Sequence, residues 1–174
     1  MSIKILTDSG SDYEKHEIDE KNIDVIPIPI TFKGRDYLSG VNLSKADFFA
    51  LLEEGDDFPK TAQPSPQVFI DYFEEAKKNG DEVIAIMLSG SLSGMLQTMH
   101  LCKETVGYDK IHIIDSISAT VGMRLLVDNA VKLRDEGKSA DEIVSETESL
   151  KKRVRLYATF PTLKYLVKGG RLSR

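Results

Sequence analysis

The sequence has few cysteines and no long apolar run, and both shortages restrict what the protein can be. Its 174 residues include one cysteine, Cys102, which excludes an internal disulfide and a cysteine-cluster metal site. No apolar run approaches the roughly 20 residues that a membrane-spanning helix needs. We therefore expect no integral membrane span. Because the chain starts directly with a strand-like run, we also expect no signal peptide, and a cytoplasmic location is the default.

Two widespread nucleotide-binding motifs are also missing. The sequence contains neither Gly-x-x-x-x-Gly-Lys nor Gly-x-Gly-x-x-Gly. Its net charge of -5 argues against nucleic acid as the main partner. With 41% hydrophobic and 29% charged residues, the composition is that of a folded globular chain, long enough for one α/β domain with a sizeable core.

Short apolar runs that predict strands alternate along the chain with segments that have helical periodicity. This alternation predicts an α/β fold with a mostly parallel sheet flanked by helices. Residues 24–32 contain Pro27 and Pro29, which cannot donate to a strand ladder. That segment is therefore predicted to be an edge strand or an extended stretch.

Further along, residues 37–42 are predicted to be a loop, and the helix that follows them is expected to end at Gly55. Residues 155–159 are strand-like. We expect residues 1–153 to form an α/β domain. Residues 154–174 are predicted to be the start of a second domain that is largely missing.

The most informative stretch is residues 89–94, Ser-Gly-Ser-Leu-Ser-Gly. It follows residues 82–88, which predict a buried strand, and precedes residues 95–106, where apolar side chains recur with helical spacing. Open α/β sheets bind ligands at such junctions, and free backbone N–H groups at a helix start attract anions. An ordinary loop with a serine cap explains the same residues equally well.

Residues 60–66, Lys-Thr-Ala-Gln-Pro-Ser-Pro, form a second polar loop ahead of a helix that Ser65 and Pro66 should begin. The prolines stiffen this loop, so the Thr61 hydroxyl and the Gln63 side chain are held in place. A stiff loop with a hydroxyl is suited to a small anionic head group. The simpler interpretation is again a capped helix entrance.

A third polar loop, residues 7–12, contains the carboxylates of Asp8 and Asp12. Such a pair suggests a metal or an aspartyl-phosphate site. Phosphotransfer aspartates usually have a second carboxylate one or two residues on, and this loop lacks that spacing. Loop capping by Asp and Ser is therefore the favoured interpretation.

Five motifs follow one another along the chain, at residues 7–9, 60–65, 91–94, 115–116 and 169–171. Their sequences are Thr-Asp-Ser, Lys-Thr-Ala-Gln-Pro-Ser, Ser-Leu-Ser-Gly, Asp-Ser and Gly-Gly-Arg. No single one of them is specific. Together and in this order they resemble the DegV family, and the resemblance covers the whole chain.

The resemblance implies a function. DegV proteins bind long-chain fatty acids in an apolar tunnel between two α/β domains, and characterised bacterial members are the binding subunits of fatty acid kinase. Carried over to this chain, the carboxylate is expected on the hydroxyls of Thr61 and Ser93, beside Gly94. A separate ATP-binding kinase subunit then phosphorylates the acid to an acyl phosphate, so no intrinsic catalysis, cofactor or metal is expected in this chain.

Weaker candidates lie around the same loops. The polar ones are Ser9, Ser91, Ser116 and Arg171, of which the arginine is a candidate for steadying phosphate or the kinase partner. Apolar helix faces beside the hydroxyl loops supply the residues expected to line the acyl chain, which are Phe69, Phe73, Met95 and Met99.

The chain departs from the family pattern near the head group. Ala62 stands where serine is usual, Met95 where threonine is usual and Leu96 where an aromatic residue is common, which makes these surroundings more apolar. The resemblance also implies a second domain, with a histidine near the carboxylate and much of the kinase-facing surface. Without that domain, we expect the exposed apolar faces to associate with a second copy of the chain.

Other functions use the same features. A serine hydrolase needs Gly-x-Ser-x-Gly, but in residues 90–94 the central position is Leu92. A binder of a small phosphate or nucleotide anion would use the strand-end loops. A non-catalytic interaction domain is a further alternative. The mass of a co-purified ligand distinguishes a fatty acid, a nucleotide and an empty protein.

Overall fold

The computed structural model describes residues 2–53 and 57–172, in which strands and helices alternate. In chain order the strands are β1 (Ile3–Asp8), β2 (Ile23–Ile26), β3 (Pro29–Phe32), β4 (Arg35–Leu38), β5 (Lys60–Thr61), β6 (Glu82–Met87) and β7 (Ile111–Asp115). The helices are α1 (Lys15–Lys21), α2 (Lys45–Glu53), α3 (Pro66–Asn79), α4 (Met95–Val106), α5 (Thr120–Asp135), α6 (Ala140–Lys151) and α7 (Lys164–Lys168). Gly55, the predicted end of α2, lies outside the described residues.

A four-stranded parallel sheet in the order β2-β1-β6-β7 forms the centre of the molecule. Successive side chains of the internal strand β6 point to opposite faces. Val83, Ala85 and Met87 belong to one apolar cluster, and Ile84 and Ile86 belong to the other. All five are fully buried, which is why this strand is a continuous apolar run in the sequence.

Helices cover both faces of this sheet. Helices α3 and α4 pack on one face, and α5 and α6 pack on the other. Helix α3, for example, buries Phe69, Phe73 and Ala76, which share one side of a helix. The predicted α/β fold, a parallel sheet flanked by helices, is confirmed. Among the helices that the structure describes, none is long and apolar enough to cross a membrane.

A second, antiparallel sheet has the strand order β4-β3-β5. It divides the segment 24–32, because β2 is an edge strand of the parallel sheet whereas β3 belongs to the small sheet. The division falls at Pro27. The next residue, Ile28, donates its N–H to Ser9 Oγ at 3.0 Å, which attaches the segment to the end of β1. Of the edge strand or extended stretch predicted for this segment, the edge strand is confirmed for β2, whereas β3 is the central strand of the small sheet.

Two other local predictions differ from the structure. Strand β4 includes residues 37–38, which pair with β3, so the predicted loop over 37–42 begins two residues too early. Residues 155–159 are exposed and form no ladder with any described strand, so the strand predicted there is wrong. Their sequence has the composition of a strand, but the segment does not pair with the edge strand β7.

The helix start predicted at Ser65 and Pro66 is confirmed. Ser65 Oγ accepts a hydrogen bond from the backbone N–H of Gln67, and Pro66 is the first residue of α3. Ser139 and Glu142 form a reciprocal capping box at the start of α6. The Ser65 cap fixes the polar loop that precedes α3. The Ser139 cap holds the start of α6, which covers one face of the sheet.

Candidate functional site

Polar loops follow β1, β6 and β7 at the same edge of the parallel sheet. They are residues 8–12, 88–94 and 115–119, and the carboxyl ends of parallel strands bring them together. The loop after β6 is the central one, because its strand lies between the other two. It leads directly into α4.

Carboxylates from the two neighbouring strands hold this central loop. Asp8 accepts hydrogen bonds from the N–H groups of Leu88 and Gly10, both at 2.8 Å. Asp115 accepts from Gly90 N–H, with both oxygens at 3.3 Å. The interpretation of Asp8 as a loop cap is therefore confirmed. Burial raises the pKa of the Asp8 carboxyl, although its hydrogen bonds with Leu88 and Gly10 lower it.

Asp8→Asn tests the role of this buried charge. Because the folded-state pKa of Asp8 lies above its ordinary value of 3.8, the stability it contributes is greatest below that value and is lost as the pH rises through the folded-state pKa. The stability of the native chain relative to Asp8→Asn should therefore be lower at neutral pH than near pH ~4. Urea unfolding at both pH values measures this, and a relative stability that rises with pH would contradict it.

Within the central loop, Ser89 O accepts the N–H groups of Leu92 and Ser93 at 2.9 and 3.1 Å. Ser93 Oγ in turn accepts from Met95 N–H at 3.3 Å, at the first residue of α4. The serine oxygen is thus an acceptor for the helix, and its proton is left to donate elsewhere. The Ser91 hydroxyl lies 2.8 Å from that of Ser89.

The loop before α3 approaches the central loop from the small sheet. Thr61 pairs with Ile30 in the ladder between β5 and β3, and Ala62 N–H donates to Pro29 O at 3.0 Å. This pairing, together with the Ser65 cap, holds the loop at both ends. The prolines predict a stiff loop, and the pairing of β5 with β3 restricts its movement further.

A cavity of about 690 Å³ lies between the two loops. Its lining includes Thr61, Ser91, Ser93, Gly94 and Met95. The glycine-rich turn before Arg171 lines it on another side. The residues predicted for the carboxylate, Thr61, Ser93 and Gly94, therefore line one cavity. Two of the weaker polar candidates, Ser91 and Arg171, line it as well. Ile28, Leu92 and Leu166 add apolar surface to the same cavity.

Arg171 is held at the rim of this cavity. Its Nε donates to Leu92 O at 3.2 Å, and its Nη1 donates to Gly169 O at 2.6 Å. The rings of Tyr165 and Phe58 stack at 5.9 Å, which attaches α7 to the chain before β5. The described residues after 164 therefore close one side of the cavity. Their assignment to a second domain stays a prediction.

Ser9 and Ser116 lie elsewhere. Ser9 accepts the N–H of Ile28 and lines a different cavity. Ser116 is buried and donates to Ser118 O at 3.0 Å. Both follow strands at the same sheet edge, but neither lines the cavity of Ser93. Their role as secondary candidates for the carboxylate stays a prediction.

The residues predicted to line the acyl chain are also only partly at the cavity. Met95 lines it, while Phe69, Phe73 and Met99 have no exposed surface and pack in the core between the sheet and α3 and α4. These three residues therefore do not line this cavity, and their assignment to the acyl chain stays a prediction. Helical spacing identifies a buried face but does not distinguish a core from a tunnel wall.

The second cavity, of about 510 Å³, lies between α1 and α2. Its walls are largely apolar and include Ile18, Val25, Phe48 and Phe49. It does not contain the two hydroxyl loops or the start of α4. The two loops that the resemblance assigns to the carboxylate therefore lie at the larger cavity, together with the start of α4.

Comparison with known proteins identifies the family. The family model described as "Uncharacterised protein, DegV family" matches residues 2–174. The chain belongs to the DegV family. A DegV domain-containing protein of Caldanaerobacter subterraneus is 40% identical over 172 residues, and one of Staphylococcus aureus is 36% identical over 170 residues. These matches cover 99% and 98% of this chain, but 61% and 60% of those relatives.

Solved DegV structures have the same fold. A fatty acid binding DegV protein of Bacillus subtilis superposes with a TM-score of 0.87 at 27% identity, over 99% of this chain and 62% of that one. A DegV family protein of Thermus thermophilus, described by its fatty acid binding, gives 0.84 at 29% identity over 98% and 60%. A stearic acid-binding protein of Eubacterium ventriosum gives 0.85 at 26% over 99% and 61%. The DegV chain described here thus spans about three fifths of these proteins.

Proposed function

We propose that this chain binds a long-chain fatty acid, with its carboxylate in the cavity between the loops of Thr61 and Ser93. The observation that carries the proposal is the convergence of these two hydroxyls with Gly94 at the start of α4. Three solved DegV structures with the same fold are described as fatty acid binding, which supports it. The proposed ligand is therefore an amphiphile with an anionic head.

The carboxylate fits this end of the cavity for electrostatic reasons. An ionised carboxyl group only accepts hydrogen bonds, and Ser93 and Thr61 each offer a hydroxyl donor. The start of α4 carries the positive end of the helix dipole, and no acidic residue lies in its first turn. Arg171 at the rim adds a positive charge to the same side.

The acyl chain is proposed to leave the head group along Leu92, Met95 and Leu166. Each methylene removed from water contributes ~0.8 kcal/mol, so even a partial apolar wall gives useful affinity. The rest of the tunnel is proposed to come from a second domain, as the resemblance implies. Met95 in place of the usual threonine makes the entrance of that path more apolar.

The further steps of the proposal concern partners. A separate ATP-binding kinase subunit is proposed to phosphorylate the bound carboxylate to an acyl phosphate, with this chain as the non-catalytic binding subunit. A cytoplasmic location is part of the proposal because that reaction consumes ATP. Adding the kinase subunit and ATP to the loaded protein, and measuring acyl phosphate, tests this step.

Self-association is a separate part of the proposal. Ile117, Val121 and Leu125 are more than half exposed around the start of α5, and Tyr157 is 90% exposed on the following segment. Apolar surface of this kind is usually covered on a soluble protein. We propose a second copy as the cover in this form of the chain, and light scattering of the purified protein tests it.

The fatty-acid proposal is tested by identifying what the protein carries. After expression in a bacterial host, native mass spectrometry and organic extraction are expected to reveal a bound long-chain fatty acid. A nucleotide or a sugar phosphate in its place would support the alternative anion site. A chain that carries nothing, and that does not bind added oleate in a titration, would contradict the proposal.

A further inference from the structure

Gln63 belongs to the same loop as Thr61, and it lines the cavity that Thr61 and Ser93 also line. Its Oε1 accepts a hydrogen bond from the Thr98 hydroxyl at 2.7 Å. A glutamine amide has its acceptor oxygen and its donor NH2 on opposite sides. Holding Oε1 against α4 therefore determines where the two N–H donors of Nε2 lie.

The amide nitrogen of Gln63 lies close to Gly94. A Cβ built on Gly94 would lie 2.7 Å from Nε2 of Gln63, closer than real Cβ contacts. The backbone of Gly94, with φ -75° and ψ 0°, is one that any residue can adopt. A side chain at residue 94 would therefore displace the end of the Gln63 side chain, while the backbone conformation of Gly94 sets no further limit.

Nε2 of Gln63 has no hydrogen-bond acceptor among residues 2–53 and 57–172, while Oε1 is satisfied by Thr98. The Gln63 amide is therefore oriented by a specific bond, and Nε2 lies next to Gly94 in an exposed side chain that lines the cavity. The Ser93 hydroxyl lies on the same lining, and Thr61 is two residues away in the chain. The cavity thus presents three donor groups to one space.

We propose that Gln63 is a third donor to the fatty-acid carboxylate and that Thr98 positions it. The inference rests on the proposed function and deepens it, because it assigns a residue that discriminates a carboxylate from an uncharged head group. A carboxylate has two oxygens with about four acceptor positions, so two hydroxyls and an amide can all be used. An alcohol of the same chain length offers only one oxygen.

The test compares oleate with oleyl alcohol on the same protein. Gln63→Met keeps the length of the side chain and removes the donor, and is expected to weaken oleate about 10-fold or more, since hydrogen bonds to charged groups are the strong ones. Binding of the alcohol should change much less. Gln67→Met is the matched control, because the Gln67 amide donates to Asp71 on the exposed side of α3 and should affect neither ligand.

The role of Thr98 is tested separately. Thr98→Val removes the hydroxyl that holds Oε1 and should lower the preference for oleate over the alcohol, whereas Thr98→Ser should restore it. In the double variant Gln63→Met with Thr98→Val, the second change should add little, since both act on one contact. A purely structural role of Thr98 would change both ligands alike and would contradict positioning.

The outcomes separate this inference from the proposed function. If Ser93→Ala weakens oleate but Gln63→Met does not, Gln63 is excluded and fatty-acid binding stands. If Gln63→Met weakens the binding of oleate and of oleyl alcohol equally, the residue shapes the cavity without distinguishing a carboxylate from an alcohol. The inference is then wrong as well. If the native chain binds neither ligand, the proposed function fails and takes the inference with it.

Discussion

Replacing Ser93 by alanine is expected to weaken the binding of a long-chain fatty acid by about 5- to 150-fold, the equivalent of ~1–3 kcal/mol for a hydrogen bond to a charged group. The Ser93 oxygen is occupied by Met95 N–H, so its proton is the part available to the ligand. Thr61→Ala should act in the same direction. Thr61 is more exposed than Ser93, so its effect should lie at the lower end of this range.

Titration with oleate, followed by the fluorescence of a displaced acyl probe, measures this effect. Ser44→Ala is the matched control, since that hydroxyl caps α2 beside the second cavity and bonds to Asp47. Neither site variant should unfold, because losing a helix cap costs only ~1 kcal/mol. Unchanged affinity of Ser93→Ala in a chain that binds oleate would remove this residue from the proposed site.

The fold could be predicted from the sequence where the signals are local. The apolar run of β6 and the capping residues at Ser65 and Ser139 each act within a few positions. A cap bonds to the backbone two or three residues on, and a buried strand is apolar whatever its neighbours are. These signals therefore keep their meaning without knowledge of the tertiary structure.

The choice of sheet could not be predicted. Residues 24–32 look like one strand, but β2 pairs with β1 while β3 pairs with β4 and β5. Which edge accepts a strand depends on long-range pairing, which a single segment does not encode. Residues 155–159 show the reverse case, in which a segment of strand-like composition pairs with no described strand.

The candidate site could be located but not resolved. The carboxyl ends of β1, β6 and β7 were the expected place, and Ser93 and Thr61 do share a cavity. Ser9 and Ser116 follow strands in the same manner, and only the structure shows that neither lines the cavity of Ser93. The contact between Gln63 and Thr98 joins residues 35 positions apart and has no local signature.

Phe73→Ala is expected to have the largest effect on stability. Phe73 has no exposed surface and packs in the cluster between β6 and helices α3 and α4, with its ring against Tyr72 at 6.2 Å. Removing a buried phenylalanine ring leaves a cavity and typically costs ~3–5 kcal/mol. That cost is a large fraction of the whole stability of a domain of this size.

Urea unfolding of the native chain and of Phe73→Ala measures this cost. Val68→Ala, on the same helix but 42% exposed, is the control and should change stability by no more than about 0.5 kcal/mol. The experiment also decides between two roles for the ring. If Phe73 lined the acyl chain, the variant would keep its stability without ligand and lose affinity for oleate. If Phe73 is a core residue, the variant loses stability and keeps its affinity for oleate. At a temperature where the variant is still folded, the cavity between the hydroxyl loops is intact, so oleate binds as before.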